Sequence, residues 1–310
     1  MKKKNNLEPV RHIQIKKGMN VSDVIKEMNK AGVMGGGKLA KSVDVIEEMI
    51  KDKNCKIFLG MAGAMVPGGM KQIIIEMLEQ GWIDVFVTTG ANLTHDLIES
   101  LGHFHYKGTD KVDDIELNKK GIDRIYNTFM KNEVYQSLEN FFEKNWQEIK
   151  QVRNIKEFLW KLGELIDGKG ILGICWKKKI PIFCPAIADS GIGMMIWGRK
   201  ASGKEIFIDA FEDMKEIVDI AWTSKKNGII YIGGGVPKNF IQQSLQFSKG
   251  ALYGVQITTD RAEPGGSSGA PLKEGISWGK MQEKAKFVDV FCDATIALPI
   301  IYSALKERFK

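Results

Sequence analysis

Short apolar runs alternate with longer amphipathic stretches along nearly the whole chain. The short runs have the length of strands, whereas the longer stretches repeat their apolar positions at the helical period. The short runs predict strands at residues 56–59, 84–88, 180–183, 206–209, 229–232, 255–258 and 288–291. The longer stretches predict helices at residues 21–29, 39–51, 71–80, 94–101, 134–150, 155–167, 211–225, 238–246 and 294–308.

This alternation predicts an α/β fold. Several strands are apolar along their whole length, which is typical of a sheet covered by helices on both faces. Because strands and helices alternate throughout, we expect a doubly wound, mostly parallel sheet. Residues 102–132 have weak periodicity and are interpreted as a long excursion between core elements. No Pro/Gly/Ser-rich linker divides the chain, so we expect residues 1–310 to form a single domain with a short helical N-terminal extension.

Composition and charge narrow the class of protein. The chain has 310 residues, and 44% of them are apolar, which is enough to build a core. The formal net charge is +7, but the lysines are scattered without an arginine-rich, aromatic-interleaved stripe, which argues against a nucleic-acid partner. An acidic protein partner is equally compatible with this charge.

The location of the protein is predicted from what the sequence lacks. No apolar run reaches the roughly 18 residues needed to cross a membrane. The lysines at the start are not followed by the apolar stretch of a secretory signal. The cysteines have neither metal-type nor redox-type spacing and stand at Cys55, Cys175, Cys184 and Cys292. We therefore expect a cytoplasmic protein without disulfides.

Three glycine-rich loops follow predicted strands, at residues 60–69, 89–96 and 233–238, and each opens a predicted helix. Ligands of such sheets bind beyond the carboxyl ends of the strands. Free backbone N–H groups at the start of a helix suit phosphate. One loop of this kind is explained by a tight turn alone, but three on one sheet favour a nucleotide-type ligand as much as a structural role.

Several familiar motifs are absent or incomplete. Residues 198–205 nearly match a phosphate-binding loop, but Glu205 replaces the hydroxyl that would hold magnesium, and the segment precedes a predicted strand. His103 and His105 are too few for a metal site. The dinucleotide pattern G-x-G-x-x-G and the nucleophile elbow G-x-S-x-G do not occur. We expect no metal and no nucleoside-triphosphate hydrolysis.

The most unusual stretch is residues 263–280, a run of small residues that ends with Glu274, Trp278 and Lys280. A lysine beside a tryptophan can lose water and favour its neutral amine, which imine chemistry requires. Glu274 could orient a cationic amine. The alternative is a solvated loop in which Trp278 only packs.

This stretch carries a resemblance to a known family. Glu274-Gly-Ile-Ser-Trp-Gly-Lys280, with Asp293-Ala-Thr thirteen positions after its lysine, resembles the C-terminal signature of the deoxyhypusine synthases. Residues 181–193 (Pro-Ile-Phe-Cys-Pro-Ala-Ile-Ala-Asp-Ser-Gly-Ile-Gly) and 232–238 (Ile-Gly-Gly-Gly-Val-Pro-Lys) are also similar to that family. The resemblance runs from about Asn20 to the C-terminus.

The resemblance implies a Rossmann-like fold, a homotetramer with active sites shared across a dimer interface, and NAD as cofactor. It implies that the aminobutyl group of spermidine passes to one lysine of the translation initiation factor 5A precursor, which gives deoxyhypusine. In this scheme NAD takes and later returns a hydride. Lys280 captures the oxidised spermidine as an imine and releases 1,3-diaminopropane.

The resemblance also implies site residues. The catalytic residue is Lys280, and the substrate-binding residues are Glu274, Trp278, Ser268, Asn239 and Gln243. The cofactor contacts are Gly63, Ala64, Thr89, Ala91, Asp189, Gly234, Asp293 and Ala294. Asp189 and Asp293 follow predicted strands, where a carboxylate can accept hydrogen bonds from ribose hydroxyls or can cap a helix.

The chain departs from the usual family pattern around the predicted pocket. Met194 stands where a second carboxylate is usual, Asn239 where a histidine is usual, and His95 where a glutamate is usual. Gln256 replaces a common tyrosine, and Gly63-Ala64 replaces Ser-Asn. Loss of a carboxylate removes a charge-assisted contact to an amine. Two alternatives follow: a homospermidine-forming enzyme that transfers to putrescine or another small amine, and a catalytically silent NAD-binding or assembly protein.

Overall fold

A computed structural model describes residues 7–309. The helices are α1 (Val21–Ala31), α2 (Met34–Lys51), α3 (Lys71–Glu79), α4 (Gly90–Ser100), α5 (Asp114–Lys119), α6 (Glu133–Lys144), α7 (Trp146–Ile149), α8 (Ile155–Leu165), α9 (Gly170–Lys178), α10 (Gly191–Ala201), α11 (Ala210–Thr223), α12 (Gly235–Gln246) and α13 (Ala294–Arg308). The strands are β1 (Cys55–Met61), β2 (Val85–Thr88), β3 (Tyr106–Lys107), β4 (Ile122–Ile125), β5 (Thr128–Lys131), β6 (Ile182–Phe183), β7 (Lys226–Ile232), β8 (Ala251–Thr258) and β9 (Met281–Phe291). A short 3-10 helix covers Leu272–Ile276.

The central sheet has six parallel strands in the order β6-β2-β1-β7-β8-β9. The chain adds strands on one side of β1, through β2 to β6, and then on the other side, through β7 and β8 to β9. β1 and β7 therefore lie side by side where the strand order reverses, with Met61 opposite Ile232 at their carboxyl ends. Such a reversal leaves a crevice beyond the two middle strands, the usual position of a ligand site.

Helices cover both faces of this sheet. Along β1 and β7, Leu59 and Ile230 pack with α2, α3, α4, α9 and α13 on one face. Phe58 and Tyr231, each one position away, pack with α11 and α12 on the other. This two-sided burial explains why the strands are apolar along their whole length, and it confirms the predicted doubly wound α/β sheet.

The predicted strand at 206–209 is wrong. Residues 204–208 have no regular structure, and Phe207 is 76% exposed. Asp209 forms only an isolated bridge with Asn154. Its side chain accepts a hydrogen bond from the N–H of Phe211 (2.8 Å) and thereby starts α11. The apolar run is therefore a short connection that ends in a helix cap.

Other differences have equally local causes. The predicted helix at 134–150 is divided at Asn145, whose amide donates to the carbonyl of Phe141 (2.8 Å). The predicted excursion at 102–132 contains α5 and an antiparallel sheet in the order β3-β5-β4. The sequence did not predict α9 and α10, because both are apolar nearly all round and lack a helical period.

The N-terminal part of the described chain packs on the core only from α1 onward. Residues 7–20 have no regular element, and α1 begins at Val21 as predicted. Residues 1–6, which carry the prediction of no secretory signal, lie outside the described residues. Between residues 7 and 309, no helix is both long and apolar enough to cross a membrane.

Candidate functional site

A cavity of about 440 Å³ opens beyond the carboxyl ends of β1, β7, β8 and β9, at the reversal of strand order. Its walls are formed by Ala62, Gly63, Met65, Gly233, Gly234, Gly235, Ile257, Thr258, Thr259, Asp260, Ser268, Cys292, Asp293 and Ala294. Five of the predicted site residues line it: Gly63, Gly234, Ser268, Asp293 and Ala294. The glycine-rich loops after β1 and β7 thus meet at one site.

The cavity wall requires glycine at position 234. A Cβ atom added there would lie 2.2 Å from the Cα atom of Ser268 and 2.5 Å from its Cβ atom. Gly63 has a φ of +77°, in the left-handed region that favours glycine. Gly234 thus lets the backbone of Ser268 pack against the loop after β7, and Gly63 permits the turn after β1.

Two helices begin at the cavity. α12 starts at Gly235 and α13 at Ala294, so their free N–H groups favour an anion there. Oδ1 of Asp293 caps α13 by accepting hydrogen bonds from the N–H (2.7 Å) and hydroxyl (2.8 Å) of Thr295. Asp293 therefore caps a helix, which was one of its two expected roles, and this cap uses only one of its carboxylate oxygens. Glycine walls, helix N-termini and a carboxylate are the donor and acceptor set that fits NAD.

Asn92 holds the loop after β1 in place, and the sequence analysis did not predict this role. Its Oδ1 accepts from the N–H groups of Met65 (3.1 Å) and Val66 (3.3 Å), and its Nδ2 donates to the carbonyl of Gly63 (2.9 Å). Thr89 caps α4 by accepting from the N–H of Asn92 (3.4 Å). An amide in the first turn of a helix that follows a glycine-rich loop was the available signal.

Four predicted cofactor residues lie beside the cavity rather than in its wall. Ala64, Ala91 and Asp189 are exposed, and Thr89 is half-buried as the cap of α4. The starts of α4 and α10 are in contact, since a Cβ atom on Gly90 would lie 2.5 Å from that of Ser190.

Asn239 and Gln243 line a second hollow, of about 430 Å³. It shares Gly235 with the cavity and is otherwise bounded by Pro185, Val236, Phe240 and Ser267. None of its lining residues within the described chain is ionisable. Met194 is exposed on α10.

Glu274, Trp278 and Lys280 lie together at the opposite edge of the sheet. The Lys280 carbonyl accepts from the N–H of Ala251, the first residue of β8, whereas Thr258 at the end of β8 lines the cavity. At about 3.3 Å per residue, the backbone of Ala251, beside Lys280, lies roughly 23 Å from that of Thr258, at the cavity. The predicted nucleophile and the predicted cofactor cavity are therefore separated within one copy of the chain.

Lys280 lies against the ring of Trp278 at the protein surface. Its Nζ atom lies 4.7 Å from the ring centroid of Trp278, and the lysine is half-buried. Trp278 is 56% exposed, so the indole contacts the amine without enclosing it in a single chain. A hydrogen bond from the N–H of Lys280 to the carbonyl of Gly275 (2.8 Å) closes the turn and keeps Glu274 near.

A second lysine near this segment, Lys238, has no predicted role and is only 1% exposed. Burial lowers the pKa of its ammonium to about 8; Asp289 and Glu274 oppose this effect, and Lys280 adds to it. This burial was not predictable from the sequence, because Lys238 follows a proline at the end of a glycine-rich loop.

His95, where the resemblance implies that glutamate is usual, belongs to a hydrogen-bonded chain. Nδ1 of His95 lies 2.9 Å from Nε2 of His105, whose Nδ1 lies 2.8 Å from Oε1 of Glu99. Burial, with a contribution from His105, lowers the pKa of His95 to about 4, so its imidazole is neutral near pH 7. Across residues 7–309, no cluster of three His, Cys, Asp or Glu side chains is placed to hold a metal ion.

Comparisons with known proteins agree with this architecture. The family model for deoxyhypusine synthase matches residues 23–305. "Probable deoxyhypusine synthase 1" from Methanosarcina mazei is 42% identical over 98% of this chain and 96% of its own. A protein of the same name from Archaeoglobus fulgidus is 40% identical over 95% of this chain and 97% of its own.

A solved structure shares the fold. The crystal structure of a "putative deoxyhypusine synthase from Entamoeba histolytica" superposes with a TM-score of 0.63 at 20% identity and covers 94% of each chain. The family model and the relatives near 40% identity extend over nearly the whole sequence. The chain therefore belongs to the deoxyhypusine synthase family of transferases.

Proposed function

We propose that the protein transfers the aminobutyl group of spermidine to a lysine of the translation initiation factor 5A precursor, with NAD as cofactor and Lys280 as nucleophile. The observation that carries this proposal is the nucleotide-sized cavity at the strand reversal, combined with the Glu274-Trp278-Lys280 segment of the family signature. Family membership supports the reaction class.

The cavity residues would hold the cofactor. The N-termini of α12 and α13 would bind its phosphates, and Asp293 would accept a hydrogen bond from a ribose hydroxyl. Gly63 and Gly234 leave the wall free of side chains. When bound, NAD supplies a hydride acceptor for the donor amine and returns the hydride to the final product.

Lys280 would carry the transferred group. Oxidation of the carbon beside the secondary nitrogen of spermidine gives an imine, which the neutral amine of Lys280 attacks. 1,3-Diaminopropane leaves as that carbon–nitrogen bond breaks, and the aminobutyl group remains as an imine on Lys280. The amine of the acceptor lysine then attacks the same carbon, Lys280 is released, and reduction of the new imine completes deoxyhypusine.

The separation of Lys280 from the cavity supports a site built from two copies of the chain. The backbone of Lys280 lies beside Ala251, roughly 23 Å along β8 from the end of that strand that lines the cavity, which is further than a lysine side chain extends. A two-fold interface would place the Lys280 edge of one copy against the cavity of the other. We therefore propose that the active unit is at least a dimer, within the homotetramer that the family resemblance implies.

Trapping of the imine tests this proposal. The protein is incubated with NAD and labelled spermidine, reduced with borohydride, and mapped by peptide mass spectrometry. We expect label on Lys280, its loss in Lys280→Arg, and its retention in Lys273→Arg, an exposed lysine of the same segment. With factor 5A added, label should move to the acceptor. Absence of label from both Lys280 and the acceptor would favour the catalytically silent alternative.

A second candidate function keeps the chemistry and changes the acceptor. The hollow that contains Asn239 and Gln243 has no ionisable wall residue in the described chain, and His95 is neutral where the family has a carboxylate. These changes alter the contacts open to an amine, and the candidate acceptor is a small amine such as putrescine. Chromatography with putrescine as sole acceptor decides the matter, since homospermidine should then appear only if this function is present.

A further inference from the structure

A row of polar side chains crosses the apolar face of the sheet under α12. Tyr231 on β7 is paired with Gln256 on β8, which is paired with Asp289 on β9. Tyr231 and Gln256 are at most 1% exposed, and their neighbours on this face are apolar. Buried polar groups are costly unless they are hydrogen-bonded, so this row needs a structural or functional reason.

Lys238 of α12 lies over this row of side chains and contacts it. Its Nζ atom lies 5.9 Å from the ring centroid of Tyr231 and donates a hydrogen bond to the carbonyl of Ala270 (2.6 Å). Nε2 of Gln256 donates to the same carbonyl (3.2 Å). Oδ1 of Asp289 accepts from the N–H of Leu272 (3.0 Å), two residues further along. Two buried side chains, Lys238 and Gln256, and the half-buried Asp289 therefore hold one short stretch, residues 270–272.

This stretch lies in the middle of the connection from β8 to β9, residues 259–280. Before it, Ser268 lines the cavity; after it, Glu274 and Lys280 lie at the other edge of the sheet. The connection is rich in glycine and small residues, so its backbone has little stiffness of its own. Contacts to the sheet are needed to fix both ends of it.

We propose that Lys238 is a positioning residue that, by binding the carbonyl of Ala270, fixes the segment carrying both the cavity wall at Ser268 and the nucleophile Lys280. That this positioning affects group transfer rests on the proposed function above. That Lys238 fixes the segment does not depend on it. A buried lysine is expensive to maintain, and the hydrogen bond to a backbone carbonyl is the contact that compensates it.

The charges around Lys238 are consistent with this role. Asp289 of β9 and Glu274 of the 3-10 helix face it with opposite charge, and Lys280 faces it with like charge. Burial raises the pKa of Asp289, and the N–H of Leu272 and the charges of Lys238 and of Lys38 on α2 oppose this effect. Burial lowers the pKa of Lys238 to about 8, so the ammonium form, the stronger hydrogen-bond donor, predominates below that pH.

Two substitutions separate positioning from bulk packing. Lys238→Met has a similar length and no donor, whereas Lys238→Gln keeps a neutral donor. Hydrogen exchange monitored by mass spectrometry reports on residues 266–276 without any need for activity. We expect exchange there to rise at least tenfold in Lys238→Met and to stay within about threefold of wild type in Lys238→Gln, with α13 unchanged in both.

The rate of borohydride-trapped adduct on Lys280 is the second readout. It should fall at least tenfold in Lys238→Met and recover in Lys238→Gln. If Lys238→Met does not fold, Gln256→Met removes the other donor to the same carbonyl and should raise exchange in the same segment by a smaller factor.

The two proposals fail in different ways. Wild-type exchange in residues 266–276 of Lys238→Met, or no rescue by Lys238→Gln, would overturn the positioning role. A wild-type protein that forms no adduct, while the exchange pattern is as expected, would instead contradict the proposed function and leave the positioning role standing.

Discussion

Substitution of Gly234 by alanine is the sharpest perturbation of the cavity. The added Cβ atom would lie 2.2 Å from the Cα atom of Ser268, which is backbone and cannot rotate away. The segment around Ser268 must retreat by at least about 1.2 Å to restore ordinary contact, and overpacking of this kind costs about 1–3 kcal/mol. The same retreat displaces one wall of the cavity.

We expect Gly234→Ala to lower the unfolding free energy by that amount and Tm by several degrees. We also expect it to weaken NAD binding at least tenfold, which corresponds to about 1.4 kcal/mol. Denaturant unfolding and titration calorimetry measure the two effects separately.

Gly266→Ala is the matched control for this experiment. It lies in the same segment, but an added Cβ atom has no contact closer than 4.0 Å and the backbone is outside the left-handed region. It should leave both quantities close to wild type. If Gly234→Ala and Gly266→Ala are indistinguishable in stability and in NAD affinity, the assignment of Gly234 to a close-packed cofactor wall is refuted.

Three further substitutions test the elements that support the site. Asp96 is fully buried, pairs with Lys71 (2.9 Å) and accepts hydrogen bonds from the first two N–H groups after the start of α9. Asp96→Ala should therefore cost about 3–5 kcal/mol in denaturant unfolding. The control Asp114→Ala removes an exposed ion pair and should have a much smaller effect. Because burial raises the pKa of Asp213 to about 7, its contribution to stability is present below about pH 4 and is lost as pH rises to 7. Asp213→Asn should remove this loss when the free energy of unfolding is measured from pH 4 to 8. Parallel pH curves for the variant and the wild type would contradict this prediction. Asn92→Leu leaves two backbone N–H groups of the loop after β1 without their acceptor and should weaken NAD binding more than tenfold, whereas unchanged affinity would exclude this loop from the site.

The sheet was predictable because its strands are buried on both faces. Residues 229–232 are apolar without interruption, and residues 255–258 are β-branched apart from Gln256; the structure places each run inside a longer parallel strand. The three glycine-rich loops follow such strands, so their arrival at one edge follows from parallel topology. The cavity was therefore the most predictable part of the site.

The position of Lys280 was not predictable from its motif. Only residues 288–291 read as a strand, whereas β9 already begins at Met281. Its first half is an edge segment with exposed Glu283, Lys284 and Lys286, whose polar pattern hides the strand. Because β9 is long, Lys280 lies at the amino ends of the neighbouring strands and Asp293 at their carboxyl ends.

Burial of single polar residues was equally invisible. Lys238 and Asn92 have the character of surface residues in the sequence, and their partners are backbone atoms more than twenty positions away. Contacts of that kind leave no periodic signal, since backbone groups are the same at every residue.

The central claim is that Lys280 of one copy acts in the cavity of another, and mixing two inactive variants tests it most directly. Lys280→Arg keeps the cavity and loses the nucleophile, whereas Asp293→Ala keeps the nucleophile and alters the cavity. Refolded or co-expressed together, they should recover roughly a quarter of wild-type aminobutyl transfer, because half of the dimers are mixed and each has one intact site of two. A mixture as inactive as its two components, despite confirmed mixed dimers, would contradict the claim.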